Sequence, residues 1–292
     1  MKTFYKLIFS VLAVICLSPV STGQESRESI SRELVFAGPD ASNVLMVRNV
    51  FGSVHVNGYP GNSVLIDVKK SIRADAQEDL EEGVEDIQLG ILETGDTIIL
   101  YVDSPWSVLK REKNRVNYYM DFKGSDIGYE FNLDFTIKIP YGIKLNVSTI
   151  NNGDVRIREP RSEVHAYNIN GSVYLEDISD ITRANTVNGV IEANYTKNPL
   201  GDCSYSTVNG DITLTFLPDL SADISYESMN GDMYTNFNNI ERLAPRVKTE
   251  KKETDRGTVY RVELNPSVRI GDGDIQLKFN TLNGDMIIKK SE

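Results

Sequence analysis

Thr207-Val208-Asn209-Gly210-Asp211-Ile212-Thr213-Leu214 is the fullest form of a phrase that returns along this chain of 292 residues. The same phrase appears as Ile150-Asn151-Asn152-Gly153-Asp154-Val155, Ile169-Asn170-Gly171-Ser172-Val173 and Val187-Asn188-Gly189-Val190-Ile191. It closes with Met229-Asn230-Gly231-Asp232-Met233 and Leu282-Asn283-Gly284-Asp285-Met286. From Gly153 onward the phrase glycines lie 18, 18, 21, 21 and 53 residues apart. Such a spacing marks coils of similar shape, with the last gap holding one coil plus an insertion.

Asn-Gly between β-forming residues has two readings. In a two-residue hairpin the residues flanking the turn sit opposite each other on one face. That would set Val208 against Asp211, Met229 against Asp232 and Leu282 against Asp285, so neither face could be buried cleanly. In a β-solenoid like need only stack on like, about 4.8 Å apart. Here Asn stacks on Asn, Gly on Gly, and the apolar residues on either side of the turn on their counterparts. Stacked amides can form a hydrogen-bonded ladder, and glycine accepts a positive φ at the corner. The pattern therefore predicts an all-β chain, a single-stranded β-solenoid (β-helix-like) with Asn-Gly corners and one short helix inserted near residues 73–86.

The amino terminus has Lys2 and Lys6, an apolar run from Leu7 to Leu17, and the small residues Ser21, Thr22 and Gly23. These are the three parts of a secretory signal peptide, with cleavage expected after Gly23. The run is shorter than the ~20 apolar residues that span a bilayer, and no later segment reaches that length. Lipidation at Cys16 would require a small residue in front of it, where Ile15 stands. Cleavage removes Lys2 and Lys6 and no acid, taking the net charge from −11 to −13. A mature chain this acidic is not expected to bind nucleic acid, which needs clustered Lys and Arg. The one basic run, Lys248 to Lys252, is interleaved with acids and reads as a solvated loop. Only Cys203 remains after cleavage, so the fold must be held by its core rather than by disulfides. The expected organisation is a signal peptide at 1–23 and one solenoid domain at 24–292. Within it, N-terminal coils at 32–145 carry a helix and an aromatic-rich insertion. Asn-Gly coils at 146–292 carry a charged, exposed excursion near 238–257.

The phrase around Asn209 resembles the repeat of the DUF4097 family, the bacterial envelope proteins with β-strand repeats known as putative adhesins. Val47-Arg48-Asn49-Val50-Phe51-Gly52-Ser53-Val54-His55-Val56-Asn57-Gly58 is similar to that family's opening coil. Phe135 to Val147, with Ile139-Pro140-Tyr141-Gly142, resembles its lead-in to the repeats. The resemblance covers roughly residues 34–292 apart from two insertions. It implies a β-repeat fold and a place in the cell envelope, and brings no catalytic residues with it.

Two segments break the pattern. Ala74, Ala76, Leu80, Val84 and Ile87 among acids predict an amphipathic helix capping an open end of the stack. Residues 104–131 gather Trp106, the only tryptophan, with Tyr118, Tyr119, Phe122, Tyr129 and Phe131, and with Lys110, Arg111, Lys113 and Arg115 between them. Aromatic and Arg side chains anchor binding surfaces, so Trp106, Tyr118 and Tyr119 are the candidate ligand-binding residues. Tyr129, Phe131, Leu133 and Phe135 are expected to alternate along a strand with one buried face.

The two histidines, His55 and His165, lie outside any metal-ligand spacing and read as outward strand residues. Asp154, Asp211, Asp232 and Asp285 share one corner position, but Ser172 and Val190 interrupt the column. Calcium needs six to eight oxygens, so these acids are expected to form solvated turns and no metal or cofactor is anticipated. The functional expectation is an exported, non-enzymatic binding protein or scaffold, an adhesin in the periplasm or on the cell surface. Its partner is an unidentified protein or glycan, and its oligomeric state is open. A periplasmic component of envelope sensing and a carbohydrate-active β-helix enzyme remain as alternatives.

Overall fold

The structure, a computed structural model, describes residues 23–37, 42–112, 115–122, 127–254 and 257–292, without the side chains of residues 111–116 and 245–265. The apolar leader with Cys16, whose lipidation Ile15 speaks against, and Lys113 of the aromatic insertion, lie outside the described residues. So do the side chains of Arg111 and Arg115.

The described residues are nearly all-β, 62% strand with one helix. In order it forms β1 (Gln24–Leu34), β2 (Val44–Arg48), β3 (Val54–Tyr59), β4 (Val64–Ala74), α1 (Gln77–Asp86), β5 (Gln88–Thr94) and β6 (Thr97–Asp103). The insertion holds β7 (Ser107–Glu112) and β8 (Arg115–Met120), followed by β9 (Tyr129–Pro140). Then come β10 (Lys144–Ser148), β11 (Val155–Arg158), β12 (Val164–Tyr167), β13 (Val173–Ile178), β14 (Thr182–Asn185), β15 (Ile191–Tyr195), β16 (Cys203–Ser206) and β17 (Ile212–Phe216). The chain ends with β18 (Ala222–Asn230), β19 (Met233–Thr235), β20 (Ile240–Thr254), β21 (Gly257–Ile270), β22 (Ile275–Asn283) and β23 (Met286–Lys290).

Two large sheets result, ordered β1-β4-β9-β3-β11-β13-β15-β17-β23-β19 and β20-β21-β18-β22-β16-β14-β12-β10-β2-β6-β5. Each Asn-Gly corner hands the chain from the second sheet to the first, and the repeats pair in parallel. Thus Val155 lies beside Val173, Ile191 beside Ile212, and Ile212 beside Met286. The corner therefore does not close a hairpin. The sheets do not close and are mixed, whereas the solenoid expected over 24–292 would be parallel throughout. The antiparallel members, β1, β4, β5, β20 and β21, carry no Asn-Gly phrase. One of them, β5, folds back on β6 through a tight turn at Gly95, φ +62, as a short connection allows between antiparallel strands.

Spatial order departs from chain order at both ends. The pair β2/β3 comes first in sequence, yet it is inserted between β6/β9 on one side and β10/β11 on the other. The pair β22/β23 comes last in sequence, yet it is inserted between β16/β17 and β18/β19. The 53-residue gap is thus a detour: the chain builds the outermost repeat, runs out along the β20–β21 hairpin, and returns to fill the slot beneath it. The charged excursion expected near 238–257 is largely this hairpin rather than a loop.

Three columns of side chains stitch the corner. The expected amide ladder runs Asn151, Asn170, Asn188, Asn209, Asn283, Asn230, each Nδ2 donating to the Oδ1 before it at 2.6–2.8 Å. Two residues earlier, Thr149, Thr186, Thr207 and Thr281 each donate a hydroxyl to a glycine carbonyl of the neighbouring coil. Asn168 and Ser228 take the same position and make the same bond. After the glycine, Asp154 accepts from Ser172 N, Asp211 from Asp285 N, and Asp285 from Asp232 N, at 2.8–2.9 Å. Backbone groups that a strand ladder leaves open at a corner are satisfied in this way.

The glycines serve a purpose other than the expected one. Gly210 and Gly284 have φ +153, but Gly153, Gly171, Gly189 and Gly231 are not in the positive-φ region. What they share is close approach. A Cβ on Gly171, Gly189, Gly210, Gly231 or Gly284 would lie 2.0–2.2 Å from the carbonyl oxygen of the adjacent coil's glycine.

Between the sheets the core is one continuous column. Val155, Val173, Ile191, Ile212 and Met286, which follow the turn, are fully buried. The apolar residues that precede it are stacked, Ile150 half-buried and the later ones pointing outward, from Val208 at 36% exposed to Met229 at 75%. At the amino-terminal end α1 packs on β4, β1 and β9 with Leu80 buried. Its last turn contains no basic residue. The buried Lys70 of β4 supplies one instead, donating Nζ to Val84 O at 3.0 Å and Ile87 O at 2.7 Å, with Glu28 at 3.3 Å. A cation there satisfies carbonyls that the helix end leaves open.

Candidate binding cavity

The aromatic insertion leaves the second sheet at the end of β6 and rejoins the first sheet at β9. Along β9 the expected alternation holds: Tyr129, Phe131, Leu133 and Phe135 are buried, while Glu130 is exposed and Asn132 half-buried. Strand β3 pairs with β9 only over Phe135–Pro140, so the first residues of β9 extend past the corner at Asn49–Gly52. A cavity of about 770 Å³ opens there. Phe51, Phe122, Ile127, Tyr129 and Phe131 form its apolar wall. Ser71, Arg73, Glu130, Asn132 and Asn152 form its polar side. A second cavity of about 620 Å³ shares Arg73, Ile127, Tyr129 and Glu130 and reaches Gly23.

The walls are held from behind. Phe51 meets Phe131 edge-on at 4.9 Å. Tyr129 donates its hydroxyl to Asp86 Oδ2 at 2.8 Å, and burial followed by that carboxylate raises its pKa. Arg73 Nε lies 3.3 Å from Glu25 Oε1.

Trp106, Tyr118 and Tyr119 come to three different places. Trp106 is half-buried with its ring 5.8 Å from Phe122 and 6.1 Å from Tyr129, so it backs two residues of the cavity wall. Tyr118 folds onto β6, donating its hydroxyl to Val102 O at 2.6 Å with its ring 5.7 Å from Tyr101. Burial raises its pKa, with Asp103 adding to the effect. Tyr119 is 43% exposed, with Lys110 Nζ 5.7 Å from its ring. Successive residues of a strand face opposite ways, so Tyr118 and Tyr119 cannot share one site. Phe51, Arg73 and Asn132 lie outside residues 104–131, and Glu130, inside them, is not among the aromatic and basic residues that mark that segment out. One signal was legible: Phe51 stands where the other coils carry the ladder asparagine and bridges to Asn151 in parallel.

Among the described residues no group of three or more His, Cys, Asp or Glu is placed to hold a metal ion. No described helix is long and apolar enough to cross a membrane. His165 on the outer face of the second sheet lies 2.9 Å from Glu163 and 2.7 Å from Arg183. Cys203 is buried beside Tyr195 and Tyr205, and burial pushes its thiol pKa up. A higher pKa leaves less thiolate at neutral pH. The folded mature chain is therefore expected to release no thionitrobenzoate from Ellman's reagent, and one equivalent after denaturation. Fast reaction of the folded chain would contradict the buried placement.

No family model matches the chain, and no curated protein matches it. Among solved structures it is similar to a putative cell adhesion protein from Clostridium sporogenes, with 11% identity over 92% of this chain and 100% of that one, TM-score 0.42. It is also similar to a putative adhesin from Bacteroides fragilis, 11% identity over 90% and 98%, TM-score 0.31. A third is a putative lipid binding protein from Parabacteroides distasonis, 11% identity over 90% and 97%, TM-score 0.30.

Proposed function

We propose that this chain is an exported, non-enzymatic binding protein of the bacterial cell envelope, an adhesin or scaffold whose alternating strands form a single β-solenoid domain. The observation that carries this reading is the aromatic cavity at the amino-terminal end. It is a concavity of about 770 Å³ lined by both apolar and polar residues, and such a site is the default place for a ligand. The stitched stack behind it provides the rigid support that precise binding needs. Trp106 contributes by fixing Phe122 and Tyr129, whereas Tyr119 would meet a partner from a separate, exposed face.

The test has two arms. Protease treatment of intact source cells, with antibody detection before and after the outer membrane is opened, is expected to remove the protein from intact cells. Survival until the membrane is opened would overturn the adhesin reading and place the chain among periplasmic partners. The purified mature protein is expected to sediment with source-cell envelopes, and Phe122→Ala to weaken that retention roughly tenfold, as loss of a central aromatic anchor does. Progressive release of soluble saccharide from the envelopes would overturn the non-enzymatic reading.

A further inference from the structure

We propose that the outermost coil of the stack, β18/β19, is an open docking edge that takes one further coil from another polypeptide. The occupant is an extended segment with the chain's own phrase: Thr or Ser, any residue, Asn, Gly, and then a strand. This edge lies at the opposite end of the first sheet from the cavity, so the inference is independent of what the cavity holds.

Inner coils are completed by the coil stacked on them. Asn209 Oδ1 accepts from Asn283, Gly210 O from Thr281, and Asp211 from the Asp285 N–H, while Gly210 N donates to Asn283 O at 2.9 Å. In the outermost coil only the inward half of this set is made. Asn230 Nδ2 reaches Asn283 at 2.7 Å, Ser228 reaches Gly284 O at 3.3 Å, and Asp232 N reaches Asp285 at 2.9 Å. The outward half is Asn230 Oδ1, the Gly231 N–H and carbonyl, and the Asp232 carboxylate. These have no partner among the described residues, and all three residues are exposed. A segment with a hydroxyl, an amide and a backbone N–H at the phrase spacing supplies the missing donors.

The core is unfinished at the same place. Tyr226 and Met233 stack on Phe279 and Met286, which are at most 1% exposed, yet both stay half-buried. Met229 at 75% and Tyr234 at 51% exposed flank them. The β20–β21 hairpin pairs with β18 only over Ala222–Ser225, and β19 is the edge of its sheet. At the far edge of that sheet β1 presents Arg27, Glu28, Arg32 and Glu33, charges that discourage strand addition. Strand β19, Met233-Tyr234-Thr235, carries no charge. An uncharged, unpaired edge is a template for an added strand.

A second copy of this chain is not the occupant. Its six phrases already lie within its own stack, and its other edge strands, β1, β5 and β20, carry none. Glycine makes the edge selective. A Cβ on Gly231 or Gly284 would lie 2.0 Å from the carbonyl oxygen beneath it, and a Cβ on an incoming corner would meet Gly231 O in the same way.

The test uses a labelled synthetic peptide of residues 207–216, titrated against the mature protein by fluorescence anisotropy. Saturable binding is expected, with hydrogen exchange slowed over residues 226–237. Gly210→Ala in the peptide should abolish binding, and Thr207→Val in the peptide should weaken it several-fold. In the protein, Asp232→Ala removes the outward carboxylate while its N–H still donates to Asp285. That variant should weaken binding roughly tenfold, as loss of a hydrogen bond to a charged group does, with circular dichroism checking its fold.

No binding, protection elsewhere in the chain, or equal binding of the Gly210→Ala peptide would overturn the docking edge. Affinity unchanged in Asp232→Ala would overturn the assigned contacts. Dimerisation of the mature protein in sedimentation velocity, competed away by the peptide, would overturn the choice of a separate polypeptide. Envelope retention of Phe122→Ala is read on its own, so the cavity's role stands or falls separately.

Discussion

Gly189→Ala is expected to destabilise the protein by at least about 3 kcal/mol, the upper end of the usual cost of overpacking. The added Cβ would lie 2.2 Å from Gly171 O, 2.6 Å from its carbonyl carbon and 2.9 Å from Ser172 N. All three are backbone atoms of the adjoining coil, so no rotamer change can relieve the clash. Relief would require the two coils to separate, which loosens Thr186 from Gly171 O and Asn188 from Asn170 at the same time. Gly95→Asn is the control. A Cβ there meets nothing within 4 Å, and the φ of +62 is one that asparagine accepts. Its cost should stay below about 1 kcal/mol, as at most surface sites. Urea unfolding of both variants measures the difference. Equal stability of the two would show that coil spacing is not what requires the glycine.

Removing residues 271–292 is expected to unfold far more than the segment removed. Those residues form β22 and β23, which hold the slot between β16/β17 and the outermost pair β18/β19. Leu277, Phe279, Met286 and Ile288 are all at most 1% exposed, and each such side chain contributes roughly 1.5–3 kcal/mol on burial. Their combined loss, on the order of 10 kcal/mol, rivals the entire stability of a typical domain. Tyr205, stacked on Phe279 at 5.4 Å, would also lose its cover. A stack whose last coil in sequence was also last in space would lose only its end. Limited proteolysis with mass spectrometry should therefore find new cleavage across residues 218–239, inside the truncated chain. A synthetic peptide of residues 271–292 should restore protection, because the slot it fills is bounded by strands on both sides. Unchanged protection of residues 218–239 without the peptide would mean that the outer coil does not depend on the inserted one.

Local repetition was readable from the residues because a corner needs the same chemistry in each coil. The Asn ladder and the parallel stacking of like on like follow from the phrase itself, whereas the burial of the apolar residue after the turn rather than the one before it was decided by the packing of the two sheets. The alternation along β9 and the helix with its acidic face, observed over Gln77–Asp86 within the expected 73–86, were legible from their own residues. The threonine column was present in the sequence at Thr186, Thr207 and Thr281, two residues before each asparagine. Its role becomes visible only when the carbonyl it bonds is seen to belong to another coil. The glycine was recognised for its φ, yet most of the column is needed for close approach, a property of two segments rather than one.

What the sequence alone determined is the unit: a strand, a corner that cannot bury both faces as a hairpin, and a second strand, repeated. The order of the units in space was decided by tertiary structure. Coils of like sequence offer nearly equivalent edges, so local pattern does not say which edge a distant coil will choose. That choice is made by fit across the whole stack, with β22 entering between β16 and β18 rather than following β18 outward. The cavity belongs to the same level. Phe51 is far in the chain from Phe122 and Phe131, and they meet because β9 runs past the corner that β2 and β3 form beside it.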